Sequence, residues 1–210
     1  MQKPLFIAKQ GRHPRGVLGK IVARIMSRET AYENERAIEF LKVGDSDTVL
    51  DIGTGHGRSI HHLARLAHRG HVTSVDVSDV MLKLARKTNG SLIDKNLVSI
   101  EKGDSKDLPF SENVFNRVLA VHTLYFWDPV GAHLGEIWRV MVPGGRLVLA
   151  FRPAEDTEVV ARFPSSIYCF HRVSTVERLL AKTGFAVIAT HYVDNPGRSM
   201  VWVVAEKLIP

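Results

Sequence analysis

The sequence predicts an α/β domain with a doubly wound, seven-stranded, mostly parallel sheet. Three observations carry this. Short β-branched or apolar runs alternate with helical stripes from residue 48 to residue 151. A cluster of glycines stands where the first run gives way to the first following helix. Two more strand-like runs close the chain, joined by Asp194-Asn195-Pro196-Gly197. That junction is a hairpin, so the sheet ends in an antiparallel pair.

The elements follow in order. Val17, Leu18, Ile21, Val22, Ile25 and Met26 recur at helical spacing, with Lys20 and Arg24 opposite. They predict an amphipathic helix over 16–28. A second helix is expected over 29–42, with Ala31, Ala37, Ile38 and Leu41 inward and Gly44-Asp45 after its end. Residues 48–52, 71–76, 97–102, 114–121 and 146–151 read as strands. Ile60, Leu63, Ala64 and Ala67 mark one intervening helix. Met81, Leu82 and Ala85 mark the next, with Ser78 or Asp79 as its N-cap. Leu134, Ile137, Trp138 and Met141 mark a third, stopped by Pro143-Gly144-Gly145. Residues 152–172 read as irregular. Ser174 is expected to cap a helix through Lys182 that Gly184 ends, and 185–192 and 200–206 form the hairpin.

Composition narrows the class. Of the 210 residues, 45% are hydrophobic, enough for a full core, and 24% are charged. The single cysteine, Cys169, excludes an internal disulfide and a cysteine-based metal cluster and is expected to be a buried small hydrophobe. The N-terminal apolar run is too short for a signal peptide, and no stretch of eighteen apolar residues occurs. A cytoplasmic protein is expected. The net charge of +6 is concentrated in residues 1–28, where Lys3, Lys9, Arg12, Arg15, Lys20, Arg24 and Arg28 occur without an acid. The chain therefore divides into a basic N-terminal arm, 1–28, and a main domain, 29–210. A globally basic surface would favour nucleic acid, whereas a basic leader on a near-neutral domain reads as a flexible arm, a helix that covers a site, or a weak contact with an anionic surface.

Asp51-Ile52-Gly53-Thr54-Gly55-His56-Gly57 forms the first strand-to-helix turn. Glycines there let a backbone approach a ligand closely. A dinucleotide fingerprint would place its third glycine one residue later, and position 58 is arginine. No Gly-Lys-Ser/Thr follows, so this is not a phosphate loop of the Walker type. The acid at Asp51 would repel a pyrophosphate and suit a ligand with an amino group and a sulfonium. Asp76 ends the second strand, where an acid can accept from ribose hydroxyls. Val77 and Met81 are placed to flank an adenine. Asp104 and Ser105 follow the third strand, where an acid can receive an adenine amino group.

These residues resemble the class I S-adenosylmethionine (SAM)-dependent methyltransferase family, in particular its small branch that includes ubiquinone/menaquinone methyltransferase-like proteins. The likeness covers 48–151 and, more loosely, the hairpin. Residues 51–57 are similar to the family's glycine motif, Asp76 to its ribose-binding acid, Asp104-Ser105 to its adenine-edge pair, and Pro143-Gly144-Gly145 to the turn before the fifth strand. The resemblance implies strand order 3-2-1-4-5-7-6 with strand seven antiparallel, SAM as cofactor, and Asp51, Gly53, Thr54, Gly55, Asp76, Val77, Met81, Asp104, Ser105 and His122 around it.

Methyl transfer from SAM needs alignment and exclusion of water more than a catalytic group. A base is required only where the acceptor must lose a proton. His122, at the end of the fourth strand, is the candidate base, because an ordinary histidine titrates near neutrality. Packing against the cofactor is its other reading. Tyr125, Trp127, Tyr168 and Phe170 are candidates for the acceptor pocket, with Phe163 and Cys169 nearby; ordinary packing is the alternative for each. Tyr32 and Arg36 lie on a helix that family members fold over the cofactor. The histidines at 56, 61, 62, 68 and 71 lack the spacing of a zinc site, and no metal is expected. The expected activity is methyl transfer to a small molecule. An RNA or protein substrate, or SAM binding without catalysis, are the alternatives. The basic amphipathic helix would also suit weak contact with a membrane surface. Nucleic acid is not expected as a partner, and oligomeric state is not legible.

Overall fold

Valine- and isoleucine-rich segments buried on both faces of a sheet read as continuous apolar runs, and here they build its centre. The computed structural model describes residues 2–195 and 197–209. Within the helix over 16–29, the side chains of Val17, Lys20, Ala23, Arg24, Met26, Ser27 and Arg28 lie outside the described set. The strands are β1 (Thr48–Ile52), β2 (His71–Asp76), β3 (Val98–Lys102), β4 (Phe115–Val121), β5 (Met141–Phe151), β6 (Phe185–Val193) and β7 (Met200–Lys207). They form one seven-stranded sheet in the order β3-β2-β1-β4-β5-β7-β6. β1 pairs in parallel with β2 and β4, β2 with β3, and β4 with β5. β7 runs antiparallel to both β5 and β6. The expected fold and strand order are both found.

The helices are α1 (Leu5–Arg12), α2 (Gly16–Glu29), α3 (Ala31–Leu41), α4 (Arg58–Leu66), α5 (Asp79–Thr88), α6 (Gly90–Asp94), α7 (Val130–Val140), α8 (Thr157–Ala161) and α9 (Val173–Thr183). Two hydrophobic layers flank the sheet. One holds Leu134, Ile137, Val176 and Leu180 from α7 and α9. The other holds Ala37, Ile38, Leu41, Ile60, Leu63, Leu82 and Ala85 from α3, α4 and α5, as the apolar stripes predict. Trp202 is buried on this second side and donates to Glu33 O at 3.0 Å, tying β7 to α3.

Several expectations are corrected. Met141 does not continue the α7 stripe. Its backbone is extended, it starts β5, and it pairs with Phe115, so Pro143-Gly144-Gly145 lies inside that strand's span. Ser78 occupies the N-cap position of α5, but its hydroxyl donates to Pro14 O at 2.7 Å instead of capping. Ser174 is inside α9, whose N-cap position is Arg172. Residues 157–161 form α8, capped by the Asp156 side chain, where irregular chain was expected. Cys169 is exposed, not buried.

The basic leader is two helices. α1 and α2 pack on each other, and α2 packs on α5. Of the apolar face expected on α2, Val22 is buried while Leu18, Ile21 and Ile25 face solvent, 42–53% exposed. Val17 and Met26 of that face, and Lys20 and Arg24 opposite, lie outside the described side chains. No helix among the described residues is long and apolar enough to cross a membrane.

Candidate functional site

Open parallel sheets concentrate ligand-facing groups at the carboxyl ends of their strands. Here those ends of β1, β2 and β4 open into a cavity of about 700 Å³. The floor is the glycine turn. Gly53 N–H and Thr54 N–H both donate to Val75 O, at 2.8 and 3.1 Å, so the turn folds back onto β2. Gly53 and Gly57 each have φ of +86°. A Cβ on Gly53 would stand 2.4 Å from Thr123 Cγ2, and one on Gly57 would stand 2.5 Å from Asn89 Nδ2. Only glycine fits either position, because both the backbone region and the space exclude a side chain.

Asp76 joins this floor from the next strand. One carboxylate oxygen accepts from Gly55 N–H at 3.2 Å, the other from Ser78 N–H at 2.8 Å. Burial pushes its pKa up to about 6, against the pull of the backbone N–H groups of Ser78, Gly55 and Val77. Val77 and Met81 follow on the cavity wall, as do Asp104 and Ser105 after β3. The buried Ser105 hydroxyl lies 2.7 Å from His133 Nδ1, and the His133 ring stacks flat on Trp127, with centroids 5.1 Å apart. Burial holds His133 below the usual histidine range, while the carboxylate of Asp104 works the other way.

Asp51 is placed differently from its expectation. It is not on the cavity wall. Its carboxylate lies under the turn and accepts from Ser59 Oγ and Ser74 Oγ, both at 3.0 Å. Thr54 and Ser74 share a short hydroxyl contact in the same buried layer. Burial raises the Asp51 pKa to about 6; the two serine hydroxyls oppose this and Asp76 adds to it. Asp51 therefore reaches the cavity through Ser59, which does line it, and through Ser74 and Thr54.

The β4 end is also rearranged relative to expectation. His122 and Trp127 line the cavity, together with Phe126. Tyr125, Tyr168 and Phe170 do not. Tyr125 packs against Phe170 and Tyr168, with centroids 4.9 and 6.0 Å away, in an aromatic cluster that includes Phe163. Ring packing, with Tyr168 pushed up to about 12 by burial, explains these residues without a ligand. His122 is poorly suited to act as a base. Burial, then the charges of Arg152 and Lys3, bring its pKa down to about 3.

The roof comes from the basic leader and from the helix that the family resemblance puts over the cofactor, but through residues other than Tyr32 and Arg36. Residues 11–15, the end of α1 and the turn into α2, line the cavity, as do Ala31, Asn34, Glu35 and Ile38 of α3. Tyr32 and Arg36 of that helix turn elsewhere: Tyr32 is 56% exposed, and Arg36 lies over the Phe40 ring and pairs with Glu39. Sequence reasoning also misses His133 on the cavity wall and, off that wall, the Arg152–Glu33 pair at 3.6 Å. Only Glu33 carried a signal, since it falls one turn before Ala37 in the buried stripe of α3. Among the described residues no histidine, cysteine and carboxylate group could hold a metal ion.

The donors and walls fit an adenosyl ligand. An acid aimed at the glycine floor suits a diol, Val77 and Met81 offer apolar contact, and Gly53 and Gly55 on the cavity wall suit close backbone approach. Comparisons agree. The methyltransferase domain family matches residues 50–149. The O-methyltransferase rstn1 of Aspergillus nomiae is 34% identical over 158 residues, covering 72% of this chain and 70% of the relative. The O-methyltransferase cnsE of Penicillium expansum is 30% identical over 154 residues; that match covers 70% of this chain but spans only 55% of the relative's length. Among solved structures, a chain from the complex of the Haloferax volcanii Trm112 methyltransferase activator with a methyltransferase superposes with a TM-score of 0.78 at 20% identity, covering both chains in full.

Proposed function

This chain belongs to the class I SAM-dependent methyltransferase family, and from that premise we propose that it methylates a small-molecule acceptor. The observation that carries the proposal is the roof. Residues 11–15 and α3 cover the strand ends and leave a cavity of about 700 Å³, a size that suits a cofactor with a small acceptor and not a folded macromolecule. Relatives named as O-methyltransferases and as a quinone C-methyltransferase support the same acceptor class.

In this reading, Asp76 accepts from the ribose hydroxyls, Gly53, Thr54 and Gly55 present backbone to the methionine part, and Val77 and Met81 flank the adenine. Asp104 and Ser105 meet its edge, with Ser105 held by His133. Bound SAM supplies a methyl group already activated by its sulfonium. The protein's own share is alignment and dryness: Phe126, Trp127 and Ile38 give an apolar surround, and the roof excludes water. Asp51 acts as a positioning residue, holding Ser59 and Ser74 beneath the turn.

The test is release of S-adenosylhomocysteine from SAM across a panel of phenols, enols, quinols and amines, with products identified by mass spectrometry. Transfer of labelled methyl to RNA or protein, with none to small molecules, would overturn the reading. Tight SAM binding with no transfer to anything would leave a binding module instead.

The exposed Leu18, Ile21 and Ile25 on α2, in a leader with seven Lys/Arg and no acid, support a further partner: an anionic lipid surface. Co-sedimentation with anionic but not zwitterionic vesicles, lost in a Leu18→Ser/Ile21→Ser/Ile25→Ser variant, is the expected result. Equal sedimentation of the variant rules it out.

A further inference from the structure

At the carboxyl end of β4, His122 adopts φ of +58°, a left-handed conformation uncommon for a residue with a side chain. Its backbone N–H is fixed to Ala150 O at 2.8 Å. Its ring Nδ1 lies 3.1 Å from the hydroxyl of Tyr125. That hydroxyl lies 2.5 Å from the backbone nitrogen of Arg152. A backbone N–H can only donate, so Tyr125 Oη accepts there. The tyrosine has one proton left to place, and the acceptor within reach is His122 Nδ1. If Nδ1 carried the proton instead, the buried tyrosine O–H would lose its partner, at a cost of about 1–3 kcal/mol. The relay Arg152 N–H to Tyr125 O–H to His122 Nδ1 therefore puts the imidazole proton on Nε2.

Nε2 is buried, with no hydrogen-bond partner among the described residues. It does not stand alone. Thr123 Oγ1, next in the chain, and Glu33 Oε2 are also buried without partners. The other Glu33 oxygen lies 3.6 Å from Arg152 Nη2. Of these residues His122 and Thr123 belong to the cavity wall, while Glu33 and Arg152 face each other off it. Two adjacent residues of the cavity wall thus each keep a buried polar atom unpaired, which marks a place where a ligand completes the bonding.

We propose that His122 is a fixed neutral Nε2–H donor to an oxygen of the methyl acceptor, and that this site takes acceptors of the phenol or enol class. The donor favours an oxygen with negative or developing negative charge, and the positive charges that act on His122, those of Arg152 and Lys3, favour it further. An acceptor hydroxyl of this acidity gives its proton to bulk solvent and enters the site as the oxyanion, so that no protein base is needed. Burial holds Tyr125 neutral within the relay, and the groups that face it are Tyr168, also held neutral by burial, and Glu33, which is paired with Arg152. Tyr125 is a positioning residue, since it sets the tautomer and does not line the cavity. The ligand class rests on the methyltransferase reading; the tautomer does not.

The experiment is long-range ¹H–¹⁵N NMR of the full chain labelled at histidine, with His122 assigned through His122→Asn, because asparagine tolerates left-handed backbone. The expected result is an unprotonated Nδ1 and a protonated Nε2, unchanged from about pH 5.5 to about pH 8.5. A protonated Nδ1, or a ring that becomes cationic in that range, overturns the proposal. Tyr125→Phe is expected to release the preference, so that an Nδ1–H population appears; an unchanged tautomer in that variant overturns the relay. Addition of 4-nitrophenol to protein saturated with S-adenosylhomocysteine is expected to move the Nε2–H signal downfield and to yield bound phenolate at a lower pH than in water. No response, with S-adenosylhomocysteine shown to be bound, overturns the ligand class. Failure of S-adenosylhomocysteine to bind would count against the methyltransferase reading and leave the tautomer result standing.

Discussion

Gly55 N–H donates to Asp76 Oδ2 at 3.2 Å, so the acid that ends the second strand is fastened to the glycine turn that ends the first. This contact makes one surface of two strand ends, and the cofactor proposal stands on that surface.

The first prediction concerns Asp76. Removing its carboxylate takes away a charge-assisted acceptor, on the order of 1.5–3 kcal/mol, or roughly 10- to 150-fold in affinity. Asp76→Ala is expected to weaken S-adenosylhomocysteine binding by that factor in calorimetry. With a pKa near 6 in the free protein, the wild type should also bind more weakly as pH falls below about 6, and Asp76→Asn should lose that dependence. An alanine variant of undiminished affinity would remove Asp76 from the site.

Asp51 gives a pH-dependent stability. Its folded pKa, about 6, lies above the unfolded value of about 3.9, so the native state holds its proton longer. That favours folding at low pH, and the advantage is lost as pH rises from about 4 to about 6. His122 and His171, both lowered by burial, slope the opposite way over this range, so the informative quantity is a difference between proteins. The stability of Asp51→Asn relative to wild type should rise by about 3 kcal/mol between about pH 4 and pH 7 in urea denaturation. Parallel pH profiles would show that the burial of Asp51 carries no such penalty.

Gly53 and Thr123 should behave as a coupled pair. Gly53→Ala combines a Cβ 2.4 Å from Thr123 Cγ2 with a residue at φ of +86°. Adding Thr123→Ala removes the overlap but not the backbone cost. The double variant should recover part of the lost stability and retain a deficit of about 1–2 kcal/mol. No recovery would mean that the threonine is not what fixes glycine there.

Far from the cavity, Asp156 should govern the β6–β7 connection. Its side chain accepts from Val159 N–H at 3.0 Å, Gly197 N–H at 3.1 Å and Ser199 N–H at 3.0 Å. Burial works against the charge, yet these donors together hold its pKa down to about 2. Asp156→Ala should cost about 1–3 kcal/mol and lower the thermal midpoint by several degrees, without altering S-adenosylhomocysteine affinity. In the wild type this contribution is present above about pH 4 and lost as pH falls toward 2. An unchanged midpoint would refute the assignment.

Local sequence was enough for the sheet, the floor of the cavity and the family. Alternating runs specify strands and helices because their periods differ. Gly53, Gly55, Asp76 and Asp104 are legible because a parallel sheet must put its strand ends on one edge. What the tertiary structure alone decided is which nearby residue faces inward. Asp51 and Tyr125 carry the right chemistry in the right segments, but the pleat and the aromatic cluster turn both away from the cavity. Residues 11–15, Asn34 and Glu35 reach the site only because the N-terminal helices fold over the strand ends, and that packing involves sequence separations no local pattern spans. The protonation of His122 is the extreme case, since it depends on a tyrosine, a backbone amide and two cations drawn from three parts of the chain.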